Sequence, residues 1–233
     1  MNYKTAFSDF FLSPKWTNNL LFAALLMLIP GLNIAGAMII AGWLIEGFWC
    51  RTDESPVTFP ELNLNRAERY VTLGLWPVLL AIILFFAIAL VYVPVAIIAS
   101  FLYLAWLVAL PFELAFFVII RPLMLRASLT QDFAKAFDIK FLTHFIKVML
   151  PELVISSLIL TLIFFVVGLI GIKAFVLGYL LKVVVMGVVL FAIYHLDKQL
   201  YKMYLTRGGE AIPLSPKLTP LAPAVVPVEP AAP

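Results

Sequence analysis

The sequence predicts an all-α protein, a polytopic transmembrane helical bundle of about six helices in three hairpins, with an amphipathic helix in the cytoplasmic interface. Composition is the first sign: 64% of the 233 residues are hydrophobic and 12% charged, with a mean hydropathy of +1.08. A water-soluble domain of this length could not expose such a surface without aggregating, so the solvent must be lipid. The second sign is local. No charged residue lies between Trp16 and Ile45 or between Tyr70 and Phe112, and both runs exceed the ~20 apolar residues a spanning helix needs. The third is punctuation, because apolar segments in lipid must satisfy their own backbone and can be cut only where turn residues occur.

Three cuts are visible. Pro30-Gly31-Leu32-Asn33 divides the first run, Pro94 the second, and the stretch from Gly168 to Lys173 the third. The expected helices are 16–30, 32–50, 70–93, 95–120, 148–168 and 174–196, preceded by an N-terminal interfacial segment, 1–15. The first is short: 15 residues rise about 22 Å, against a hydrocarbon core of roughly 30 Å, so a re-entrant half-helix is an alternative to a full crossing. Lys4 and Lys15 before an apolar run, with Ala35-Gly36-Ala37 beyond, imitate a signal peptide. The apolar stretch continues to Ile45, which fits an uncleaved anchor better.

Charge supports this division. Six crossings place every basic residue except Lys173 and Lys182, of 16 in all, on the N-terminus, the two long loops and the tail, all on one side of the bilayer. Short cytoplasmic segments collect Lys and Arg, so both termini are expected in the cytoplasm.

Between the second and third hairpins, Phe133, Phe137, Phe141 and Phe145 recur every four residues among Lys135, Asp138 and Lys140. An interfacial helix over 128–145 is expected, with either the rings in the acyl boundary or the stripe packed on the bundle. Phe7, Phe10 and Phe11 fit the same pattern at the N-terminus. From Pro213 onward the chain holds seven of its 16 prolines, and 206–233 is expected to be a disordered tail.

Charges within lipid are costly, and four qualify: Lys182, Glu113, Glu46 and Glu152. They could line a polar path for a proton, ion or anionic head group, or they could pair and hold helices together; pairing already removes the cost. Gly42-Trp43-Leu44-Ile45-Glu46 and Gly178-Tyr179-Leu180-Leu181-Lys182 also echo one another at an offset of 136 residues, as an ancestral duplication would leave.

Enzyme signatures are absent from the sequence: no His-Glu-x-x-His pair, no Gly-Lys-Ser or Gly-Lys-Thr phosphate loop, no Gly-x-Ser-x-Gly turn. His144 and His195 fall at expected membrane edges. Lone Cys50 allows no internal disulfide. No catalytic residue, metal site or cofactor is expected, and the net charge of +3 reflects topology rather than nucleic-acid binding. Membrane lipids, further copies of the chain and other membrane proteins are the partners such a surface suits.

Pro14-Lys15-Trp16, Leu28-Ile29-Pro30-Gly31, Gly42-Trp43, Phe59-Pro60-Glu61 and Asp132-Phe133-Ala134-Lys135-Ala136-Phe137, in that order, resemble a family of bacterial and archaeal membrane proteins known as domain of unknown function 4013. The family often shows Leu-Pro where this chain has Phe59-Pro60. The resemblance implies a multi-helix fold in a prokaryotic cytoplasmic membrane and carries no activity. A non-enzymatic scaffold or a lipid- or protein-interaction component is the expected function, and a small transporter using Lys182 and the glutamates is the alternative.

Overall fold

The computed structural model describes residues 1–28, 31, 33–101, 105–173 and 175–219, with side chains described except at 105–107, 168–173 and 175–180. Those residues are all-helical, without a strand. Eight α-helices follow in order: α1 Tyr3–Leu12, α2 Trp16–Leu28, α3 Asn33–Trp49, α4 Ala67–Phe101, α5 Ala105–Thr130, α6 Phe133–Ala136, α7 Ile139–Lys173 and α8 Phe175–Thr206. Among the described residues, four helical segments, Leu64–Phe101, Val108–Thr130, Ile139–Val167 and Leu181–Thr206, are long and apolar enough to cross a membrane. The shorter α2 and α3 rise only about 20 and 26 Å.

Neighbouring helices close a ring. In turn α2 packs on α3, α3 on α4, α4 on α5, α5 on α7, α7 on α8, and α8 back on α2, with α1 laid against α8. Of these, α3 is the most enclosed, with every residue from Ile39 to Phe48 buried. It can sit there because glycine lets two backbones meet. A Cβ on Gly42 would collide with the Tyr70 carbonyl, and one on Gly74 with the Met38 carbonyl, so α3 and α4 touch main chain to main chain.

The loop after α3 folds back as a plug. Phe59 fills the notch left by Gly47 and lies edge-on to Trp43 at 5.3 Å and to Phe191 at 5.0 Å. The Trp43 indole donates to the Pro60 carbonyl at 2.9 Å, and the Leu62 amide donates to buried Asn19 on α2 at 2.7 Å. The segment 59–62 thus ties α2, α3 and α8 at one end.

Several expected boundaries move. Pro94 does not end a helix: α4 runs through both Pro77 and Pro94 to Phe101, and α5 is described from Ala105. A proline removes one donor, which neighbouring structure can tolerate in a membrane helix. Likewise α7 continues through 168–173. Of the first turn, Ile29, Pro30 and Leu32 lie outside the described residues, while Gly31 takes φ +86°, where a Cβ is disfavoured.

The single interfacial helix over 128–145 does not form. Its residues are divided among the end of α5, the four-residue α6 and the start of α7. Gln131 breaks α5 at φ 51°, its amide donating to the Leu73 and Ser128 carbonyls at 3.0 and 2.8 Å. Asp132 then accepts from the amides of Ala134 and Lys135 and Asp138 from that of Phe141, so each carboxylate caps a new helix.

Nor is the start of the tail disordered. Gly208, at φ +82°, ends α8; the Ile212 amide donates to the Tyr201 hydroxyl at 2.8 Å, the Ser215 amide to the Leu129 carbonyl at 2.9 Å, and Ile212 and Leu218 are buried. The remainder, 220–233, lies outside the described residues.

Gly42→Ala should therefore separate α3 from α4 and cost at least the ~1–3 kcal/mol typical of an overpacked core. Thermal unfolding in detergent, followed by tryptophan fluorescence, should show a lower midpoint than wild type; an unchanged midpoint would mean that the two backbones do not meet there.

Candidate functional site

The four intramembrane charges do not gather at one place. Glu46, buried on α3, is held by Arg66, with the Arg69 Nε 3.6 Å away. Glu152 on α7 receives both forks of Arg207, at 2.5 and 3.0 Å. Both glutamates are thus closed in arginine pairs at the end of the bundle that carries the loops. Lys182 is exposed on α8 and, like Glu113, makes no ion pair among the described residues. The echo of Gly42–Glu46 extends over Gly178, Tyr179 and Leu180, whose side chains lie outside the described residues.

A buried polar tie joins α5, α7 and α8. Arg121 on α5 is 2% exposed, and its Nε donates to the carboxylate of Asp197 on α8 at 2.7 Å. Its Nη1 donates to the Ser156 hydroxyl of α7, and that hydroxyl in turn donates to the Glu152 carbonyl at 2.6 Å. Three helices thus meet at one guanidinium. On α7 the hydroxyls of Ser157 and Thr161 are also buried, without a hydrogen-bond partner among the described residues. By sequence position Arg121 falls in a loop and Asp197 at a helix boundary, outside the four intramembrane charges. The available signal was a lone arginine followed by Pro122 inside an apolar run, facing an aspartate late in the last helix.

The phenylalanine stripe turns inward over half its length. Phe141 and Phe145 are buried in the core, against Tyr204 with ring centroids at 5.7 and 4.7 Å, and so do not face lipid. Breaking the helix at Gln131 and again before Ile139 rotates the stripe off a common face. Phe133 is half-buried beside Trp76, and Phe137 is 39% exposed. The outer face of α7 instead presents Ile139, Lys140, Thr143 and Lys147, an apolar and basic surface suited to an interface. Phe10 is buried against Phe191, whereas Phe11 is exposed.

Two of the cavities among the described residues bear on the charged groups. A small polar one, about 90 Å³, lies at the loop end between Asp9, Arg51, Glu54, His195, Lys198 and Lys202. Glu54 receives Lys202 at 2.5 Å and Lys198 at 3.1 Å, and those bonds hold its carboxyl below the ordinary value of 4.5. A larger groove, about 510 Å³, opens between α4 and α5 and is lined by aromatic and aliphatic side chains with Glu113 among them. Among the described residues, no group of three or more His, Cys, Asp and Glu side chains is placed to hold a metal ion.

Arg121→Met should leave Asp197 buried without its partner and destabilise the protein by about 3–5 kcal/mol, whereas Arg121→Met combined with Asp197→Leu should recover most of that loss. Thermal midpoints of the three proteins decide it; a double variant no better than the single would mean that the two charges are not coupled. Acid acts at Glu54. A depressed carboxyl contributes stability that is present above its unfolded pKa and is lost as pH falls through the lower folded value. The midpoint should therefore decline on acidification below about pH 4.5, and by less in Glu54→Gln.

No family model, no curated protein and no solved structure matches this chain.

Proposed function

We propose that this integral membrane protein is a non-enzymatic component that organises lipid or protein neighbours rather than a carrier that moves a solute. The observation that carries this reading is the closure of Glu46 and Glu152 in arginine pairs at the loop end, apart from Lys182 and Glu113. A conducting path needs polar groups that follow one another across the bilayer, and paired charges at helix ends fasten helices instead. The outward-facing Ile139, Lys140 and Lys147 on α7 supply a surface for anionic headgroups.

On this reading the chain resides in a prokaryotic cytoplasmic membrane, the setting that its motif resemblance implies. The basic loop end faces the cytoplasm with both termini, following the bias of basic residues. The first short hairpin then counts as two of six crossings.

The functional test is flux. Protein reconstituted into phosphatidylcholine and phosphatidylglycerol vesicles, under an imposed potassium diffusion potential, should pass protons and potassium no faster than empty vesicles. Glu46→Gln and Glu152→Gln should lower the thermal midpoint. A protein-dependent flux abolished by Lys182→Ala would overturn the proposal and favour transport.

Orientation has its own measurement. Single cysteines at Asn33 and Lys135 should label with an impermeant maleimide from opposite sides of the membrane; labelling from one side would sink the six-crossing arrangement. Wild-type Cys50 should stay silent at pH 7, because it is buried and burial pushes its thiol up to about 11, leaving little thiolate to react.

A further inference from the structure

The groove between α4 and α5 holds the one intramembrane glutamate that no arginine claims. Its walls are aromatic: Phe85 and Tyr92 from α4, Phe112 and Phe116 from α5, and Phe164 from α7, with Glu113 among them. Tyr92 and Phe112 pack against each other in its wall, tilted with centroids 5.3 Å apart, and Phe164 stacks on Phe117 at 5.4 Å, both also lining the groove. Phe85 is 60% and Val93 49% exposed, so the groove opens toward the lipid phase. Glu113 lies eight residues into α5, about 12 Å along its axis, within the span Val108–Thr130.

We propose that this groove binds an amphiphilic cation, a hydrophobic molecule with a single positive charge that enters from the lipid, with Glu113 as its counter-charge. The volume, about 510 Å³, falls within the ~300–1,000 Å³ of small-molecule sites, and an apolar wall with one well-placed polar group is their usual composition. Sign and number of charges narrow the ligand. An anion would be repelled by Glu113. A zwitterionic headgroup would bring a phosphate, yet no Lys or Arg is among the described residues that line the groove. A metal ion needs several ligand oxygens from carboxylates, carbonyls or waters, and the groove offers one carboxylate. A neutral lipid tail would leave the carboxylate unanswered. A monovalent organic cation satisfies the carboxylate and gains attraction from the ring faces as well. This goes beyond the scaffold reading, since occupancy of the groove neither requires nor implies flux.

Binding of tritiated tetraphenylphosphonium to the full-length protein in uncharged detergent, measured by equilibrium dialysis, tests it. One saturable site per chain is expected. Glu113→Gln should weaken it about tenfold or more, as removal of one partner of a desolvated charge pair does, and Phe112→Ala should weaken it by a smaller factor. Glu152→Gln, which removes a carboxylate at the loop end, should leave it unchanged, and tetraphenylborate, an anion of matching size, should not compete. Glu113→Gln should keep the wild-type circular dichroism spectrum. Absence of a saturable site in the wild-type protein would overturn the proposal, and so would equal affinity in Glu113→Gln or displacement by tetraphenylborate. Flux in the vesicle experiment would overturn the scaffold reading while leaving this site standing, and loss of the site would do the reverse.

Discussion

The guanidinium of Arg121 constrains the whole membrane-spanning part of the molecule. It belongs to a helix long and apolar enough to cross a bilayer and is 2% exposed, so it must be answered from within the protein. Asp197 on α8 and Ser156 on α7 supply that answer. A fixed charge pair of this kind adds little to stability compared with apolar side chains of the same volume, but it tolerates only one rotation of each participating helix. Once α5, α7 and α8 are rotated to meet, the remaining contacts follow. Tyr204 then faces Phe141 and Phe145, and Phe191 faces Phe48 and Phe59.

The two ends of the bundle are built on different physics. At the loop end, ion pairs, carboxylate caps and the Phe59 plug lock helices to loops. Toward the far end α4 exposes Phe85, Phe86, Leu90, Val91, Ile97, Ile98 and Phe101, a surface that water would not tolerate and hydrocarbon does. Helices in lipid gain no hydrophobic free energy by touching one another, so they stay together only where small residues, polar groups or close packing give a reason. Gly42 and Gly74 give one between α3 and α4. Along the far part of α4 and α5 the aromatic side chains leave a groove instead.

What could be read from the sequence followed from the same distinction. Long charge-free runs announce membrane helices because lipid acts on each segment separately, and the all-helical architecture follows. Whether Phe141 faces lipid or Tyr204 is a tertiary matter, since a four-residue spacing is the same for either face of a helix. Pro94 reads as a break, yet α4 continues through it, because a proline in lipid has fewer alternatives to the helix than one in water. The partners of Glu46 and Glu152 were unreadable for another reason. Arg66 lies 20 residues from Glu46 and Arg207 lies 55 from Glu152, and nothing local marks such pairs. Arg121 is equally illegible, because a basic residue near an expected helix end looks like a loop charge.

The contact between α1 and α8 has a consequence for biogenesis. Asn2 exchanges hydrogen bonds with Gln199, 197 residues away, and α2 also rests on α8. On a ribosome these first helices emerge long before the surface that receives them, so they must wait in the bilayer while the intervening helices are inserted. Contacts so distant along the chain make closure slow, since the entropy of ordering the intervening chain must be lost before those contacts form. A nascent chain halted anywhere before α8 would hold an open row of helices with α3 uncovered on one flank, a form of the protein suited to capture by chaperones or by the quality-control proteases of its membrane.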